Sequence, residues 1–262
     1  MVEASLQVIL CRKIDFGSVF TGGRIDLREV LPMKRKNLIG MLPFYLLAAI
    51  LCIGAAQIGS RSVTTAVQSS SVTWANTFVI DAGHGGIDGG ATSCTGVLES
   101  AINLQIANRL NDLLHLLGYR TVMVRTTDTS IHTQGNTIAQ QKASDLKERA
   151  RIVNETENAI LVSIHQNTFS DSRYHGAQVF YGPSDVSQEL AQKLQAQLYA
   201  KRSAKSADGV YLLQNIHRPG ILIECGFLSH PQEEALLRDP AYQQKLCAII
   251  ATELADFLVT NG

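Results

Sequence analysis

Residues 77–91 read TFVIDAGHGGIDGGA. An apolar run stops at Gly83 and is followed at once by His84, with four further glycines close behind. A short apolar run closed by glycine predicts a buried β-strand. The glycines permit turns and close backbone approaches that other residues resist. Two nucleotide-binding readings fail here. No Lys-Ser/Thr follows, so this is not a P-loop, and the GxGxxG order of a dinucleotide fingerprint is absent.

Working outward, strands and helices alternate. RTVMVR (120–125), AILVSIH (159–165), GAQVFYG (176–182), VYLL (210–213) and ILIEC (221–225) predict further strands, giving about six with 77–83. Residues 100–117 place Ile102, Ile106, Leu110, Leu113, Leu114 and Leu117 at helical spacing, and Gly118 stops them. Helices are also predicted over 145–154, 184–199 and 240–259, with the polar stretch 126–144 as a loop. The alternation predicts one α/β domain with a mostly parallel or mixed sheet and helices on both faces.

The N-terminal part is different. Residues 38–56, LIGMLPFYLLAAILCIGAA, form an uncharged run of 19, long enough to span a bilayer as a helix. Lys34, Arg35 and Lys36 precede it and orient its start toward the cytoplasm. The expected organisation is a cytoplasmic tail or upstream extension (1–37), a membrane anchor or signal-peptide core (38–56), a Ser/Thr/Ala-rich linker (57–75) and a catalytic domain (76–262) working outside the cytoplasm. The chain carries 23 basic and 23 acidic side chains, so its charge makes no case for nucleic acid. Five widely spaced cysteines without a CxxC argue against a disulfide framework or a thiolate zinc site. Cys225 and Cys247 read as small core residues.

The chemistry sits at predicted strand ends. His84 follows the first strand, His165 ends the third, Glu224 lies near the end of the last, and Glu99 opens the first helix. Open α/β sheets form their sites at the carboxyl ends of strands, so these four can converge. Two imidazoles and one carboxylate are a common set for catalytic zinc, with a fourth position left for water of lowered pKa. A second carboxylate then serves as general base, and Glu224 in an apolar strand suits that part. Each residue has a plainer alternative: scattered His and Glu arise by chance, and Glu224 could be a buried acid paired with a base. Glu99 with Glu224 as a glycosidase pair would leave both histidines unexplained. Asp81, beside His84, could orient a ligand histidine or serve a turn. His115, His132, His175 and His217 read as ordinary surface or loop residues.

VIDAGHGGIDGGA, ESAINLQIANRL (99–110), DLKERARIVN (145–154), SIHQN (163–167) and ILIECGFLSHPQEEALL (221–237), in this order, resemble the zinc-dependent bacterial N-acetylmuramoyl-L-alanine amidases. The likeness runs over about residues 77–258. It implies one Zn2+ held by His84, Glu99 and His165, with Glu224 catalytic and peptidoglycan as substrate. Arg149, Asn154 and Asn167 match further family positions with structural or substrate-orienting parts. Ser100 and His230 depart from the usual Lys and Asn, which touches substrate contacts and not the ligand set. The short N-terminal apolar segment and the absence of binding repeats are similar to the germination amidases of spore formers, which implies a role in cortex maturation. An accessory protein that helps load zinc is an open possibility. The alternatives are a vegetative autolysin, a zinc peptidase of the stem peptide, or a non-catalytic wall-binding module.

Overall fold

The computed structural model describes residues 76–199 and 201–261. The tail, membrane segment and linker expected over 1–75 lie outside the described residues. Among the described residues, no helix is long and apolar enough to cross a membrane.

Six strands form one mixed sheet: β1 (Thr77–Ala82), β2 (Arg120–Met123), β3 (Ala159–Asn167), β4 (Gln178–Tyr181), β5 (Lys205–Ser206) and β6 (Gly220–Phe227). Their order is β2-β1-β3-β6-β4-β5. β1 pairs in parallel with β2 and β3, and β3 with β6; β4 pairs antiparallel with β6, and β5 runs parallel to β4. The apolar runs thus become the sheet centre, as strands buried on both faces require. Phe78, Ile80, Val162, Ile164, Ile221 and Ile223 point to one face, under α1 (Glu99–Leu116), α3 (Asp185–Tyr199) and α6 (Pro240–Asn261). Val79, Leu161 and Leu222 point to the other, under α2 (Ile138–Glu155) and the short α4 (Tyr211–Gln214). Cys225 and Cys247 are buried in the first core, as expected.

The predicted architecture holds, with three local corrections. VYLL is not a strand. Tyr211–Gln214 is a helical turn whose adjacent Leu212 and Leu213 are both buried, a pattern that an edge strand with alternating faces cannot bury. The sixth strand is instead Lys205–Ser206, a two-residue pairing with β4 that has no hydrophobic signature. The expected loop 126–144 ends early, because α2 starts at Ile138. Thr137 caps it, taking the Gln140 N–H while the Gln140 side chain returns to the Thr137 N–H. Finally, α5 (Pro231–Arg238) was not predicted; His230 caps it and Pro231 occupies its first turn.

Candidate metal centre

β1, β3 and β6 run in parallel, so their carboxyl ends share one edge of the sheet. His165 lies directly opposite Glu224 in the β3–β6 register, and a bulge follows between His165 and Asn167. Asp81, His165 and Glu224 continue the alternation of Val79, Leu161 and Leu222, so all three face the α2 side. His84 comes two residues after β1 with φ at 60°, in the left-handed region that a non-glycine residue seldom occupies.

Glu99 occupies the first turn of α1, where a carboxylate is favoured by the helix dipole. It is 3% exposed. Its Oε1 accepts from the Gln166 N–H at 3.1 Å and from Asn103 Nδ2 at 3.2 Å, and its Oε2 accepts from the Ala91 N–H at 2.9 Å. Each oxygen also meets one imidazole: His84 Nε2 at 3.2 Å from Oε2, and His165 Nδ1 at 3.0 Å from Oε1. Donor atoms from the three residues all lie within 4.8 Å of one another. Burial alone would raise the Glu99 carboxyl, but hydrogen bonds and charge from His165 and His84 hold it well below its ordinary range. Burial likewise disfavours a charged His84, yet Glu99 and Asp88 outweigh it and push that imidazole up to about 9.

Asp88 is the residue whose role was not foreseen. Its Oδ2 lies 2.9 Å from His84 Nδ1. A carboxylate only accepts, so Nδ1 carries a proton, and Nε2, facing Glu99, is the nitrogen that could coordinate a metal once its own proton is lost. Lys142 in turn pairs with Asp88 at 2.7 Å. Asp81, the residue expected to orient a histidine or serve a turn, does neither. It accepts from Ser163 Oγ at 2.6 Å and forms a buried ion pair with Arg149. The spacing of Asp88 four residues past His84 was the available signal. Lys142 gave none, because the start of α2 was placed too late.

Two buried arginines fix the loop that carries His84. Arg149 donates to the carbonyls of Ala82 at 2.9 Å and His84 at 2.7 Å. Arg125 donates to the carbonyls of Ala82 at 2.8 Å, Gly83 at 3.0 Å and Ser100 at 2.9 Å. Asn154 Oδ1 accepts from the His217 N–H at 2.7 Å, which makes it a loop anchor away from the cluster. Gly83 faces His165 so closely that a Cβ there would meet imidazole atoms at 2.2 Å. Gly83→Ala is therefore expected to displace His165 and weaken any metal binding at this group by roughly 10–100-fold, as loss of ligand support does. Competition against a chromophoric chelator measures this; unchanged affinity would show that His165 has room to shift.

Glu224 brings an unpartnered carboxylate oxygen to this neighbourhood. Its Oε2 is buried without a hydrogen-bond partner among the described residues. Burial raises its carboxyl to about 7, with His165 opposing and Glu99 reinforcing the shift. A cleft of about 300 Å3 opens against His84 and His165, walled by Val210, Tyr211 and Leu146. The residues fit a zinc ion: two neutral-capable imidazoles, one ionised carboxylate, an orienting Asp88, and a nearby proton acceptor with no other partner.

His84, Glu99 and His165 converge beside an orphaned glutamate at the carboxyl edge of an α/β sheet, a group that could hold a metal ion. Residues 78–256 match the N-acetylmuramoyl-L-alanine amidase family, and the chain belongs to it. It is 36% identical over 190 residues to the germination-specific N-acetylmuramoyl-L-alanine amidase of Bacillus subtilis, covering 70% of this chain and 80% of that protein. Among solved structures it is similar to the CwlD amidase of Clostridioides difficile in complex with the GerS lipoprotein, at TM-score 0.67 and 36% identity over 70% of this chain and 98% of that one. The catalytic domain of CwlV from Bacillus (Paenibacillus) polymyxa also matches, at TM-score 0.61 and 25% identity over 70% of this chain and 98% of that one.

Proposed function

We propose that this amidase uses one zinc ion, held by His84, Glu99 and His165, to hydrolyse the bond between N-acetylmuramic acid and L-alanine. The observation that carries this is the convergence of the three donors beside the unpartnered Glu224 oxygen. Bound zinc supplies a Lewis acid for the scissile carbonyl and acidifies water to a pKa of about 7. Glu224 takes the proton from the attacking water and hands it to the leaving amine of L-alanine. Burial that lifts its carboxyl to about 7 in the metal-free protein suits a group that must both take and give a proton. Asp88 keeps the proton of His84 on Nδ1, and Arg149 and Arg125 hold its backbone.

The likeness to a germination-specific amidase supports a substrate in spore-cortex peptidoglycan, trimmed of stems ahead of muramic-δ-lactam formation. Action outside the cytoplasm is proposed to follow from the apolar run at 38–56, acting as anchor or export signal, with 57–75 as linker to the catalytic domain at 76–262. The solved complex of a similar amidase with a lipoprotein supports an accessory partner here as well.

The test is product analysis by mass spectrometry after digestion of purified cortex and vegetative sacculi. Intact stems beginning with L-alanine are expected, release stops with a chelator, and zinc restores it. Shortened stems would make it a peptidase, and release unaffected by chelation would remove the metal. Zinc must displace the proton that Glu99 and Asp88 stabilise on His84, so its affinity is expected to rise with pH up to about 9.

A further inference from the structure

A second groove, of about 420 Å3, lies across β6 from the 300 Å3 cleft. Its floor includes Gln178 and Phe180 of β4, which stand opposite Glu224 and Leu222 in the antiparallel register. Residues directly opposite share a face, so the groove opens on the same side of the sheet as Glu224. No helix covers the β4–β5 end of that face among the described residues; the second core, under α2 and α4, takes in Phe180 only at its margin.

Two properties give the groove a ligand class. Its walls are aromatic: Phe169 and Tyr174 are 50% and 49% exposed, with ring centroids 4.6 Å apart, and Phe227 lies 6.4 Å beyond Tyr174. Its charges are all positive. Arg202 and Lys205 line it and no carboxylate does. The Arg202 guanidinium donates to the carbonyls of His175 at 2.8 Å and Gly176 at 3.1 Å, and lies 5.2 Å from the Phe227 ring centre, so its charge is fixed in place without an acidic partner. Lys205 is exposed, and no carboxylate lines the groove beside it. In the cleft on the other side, by contrast, Lys142 and Arg149 are already matched by Asp88, Asp81 and Asp145.

We propose that this groove is the subsite for the acidic peptide arm of the substrate, with Lys205 reading a stem carboxylate and the aromatic wall holding the chain beside it. The neutral glycan arm then lies toward the charge-balanced cleft. This rests on the amide-hydrolase reading above. Lys205 is a specificity residue and not part of the proton transfer.

The test compares the zinc-loaded full chain with its Lys205→Glu variant on two soluble muramoyl peptides, one with free stem carboxylates and one with those carboxylates amidated. The wild type is expected to show a KM roughly tenfold lower for the free acid, as a charge-assisted contact gives. That preference shrinks with added salt. Lys205→Glu is expected to lose the preference while kcat stays within about twofold, the size of effect a rim charge leaves on chemistry. The free acidic stem peptide should inhibit the wild type and not the variant. An unchanged preference in Lys205→Glu, equal KM values in the wild type, or a fall in kcat with KM intact would each overturn the assignment while leaving the hydrolase reading standing. If the wild type cleaves neither substrate, both fall together.

Discussion

Glu224→Gln is expected to lose about 10²- to 10⁴-fold in kcat, the usual worth of a positioned general base, while keeping its zinc. Glutamine preserves the shape and cannot accept the proton of the attacking water. The loss falls on kcat and on kcat/KM together if Glu224 acts only once water begins to attack. Stability supplies an independent readout. In the native protein, burial holds the Glu224 carboxyl at about 7, above its ordinary value near 4.5. The folded state therefore binds this proton more tightly than the unfolded chain, and the Glu224 contribution to stability falls as pH rises from 4.5 through 7. The variant escapes this, so the metal-free variant should unfold at no lower a temperature than the metal-free wild type at pH 7.5. The difference should narrow below pH 4.5, where both side chains are neutral. Kinetics with metal analysis and paired melting curves check the two halves. A variant that retains wild-type kcat would move the base elsewhere.

Arg149→Met is expected to destabilise the fold by about 3–5 kcal/mol, the cost of leaving a buried charge without its partner. Arg149 is 2% exposed and sits between Asp81 and Asp145 while holding two backbone carbonyls. Burial would raise the Asp81 carboxyl, but Arg149, His165 and Ser163 together hold it below its ordinary range. Its contribution is therefore full above the ordinary carboxylate pKa and is lost as pH falls through the depressed native value. Urea unfolding at pH 7 measures the effect. Asp81→Asn added to Arg149→Met should recover part of it, because the orphaned charge is then gone. Full additivity of the two changes would mean that the ion pair contributes nothing.

The sheet was legible because its central strands are buried on both faces and announce themselves as apolar runs: VIDAG, AILVSIH and ILIEC all lie where periodicity puts them. Local chemistry decided the rest. Lys205–Ser206 pairs through backbone alone and carries no apolar signal. Leu212 and Leu213 look like strand residues in sequence, but Asn215 N–H closes a helical turn on Tyr211 and Leu212. The Thr137–Gln140 capping box was in the sequence and marks the true start of α2. His84, Glu99, His165 and Glu224 were found from strand ends and family motifs, and the fold brings them together. Arg149 was marked by its family motif and proves structural; Asp88 and Arg125 escaped because their partners are a ring nitrogen and backbone carbonyls, fixed only once the loop after β1 is closed.

That loop has a consequence for the order of events in the life of the enzyme. The carbonyls of Ala82, Gly83 and His84 are gripped by Arg149 and Arg125, whose guanidinium groups belong to the folded core. The histidine is thus presented by protein side chains and not by an ion that gathers the chain around it. Folding and arming become separate steps. The chain can complete its fold first, and a metal that binds there meets a histidine loop already held in place.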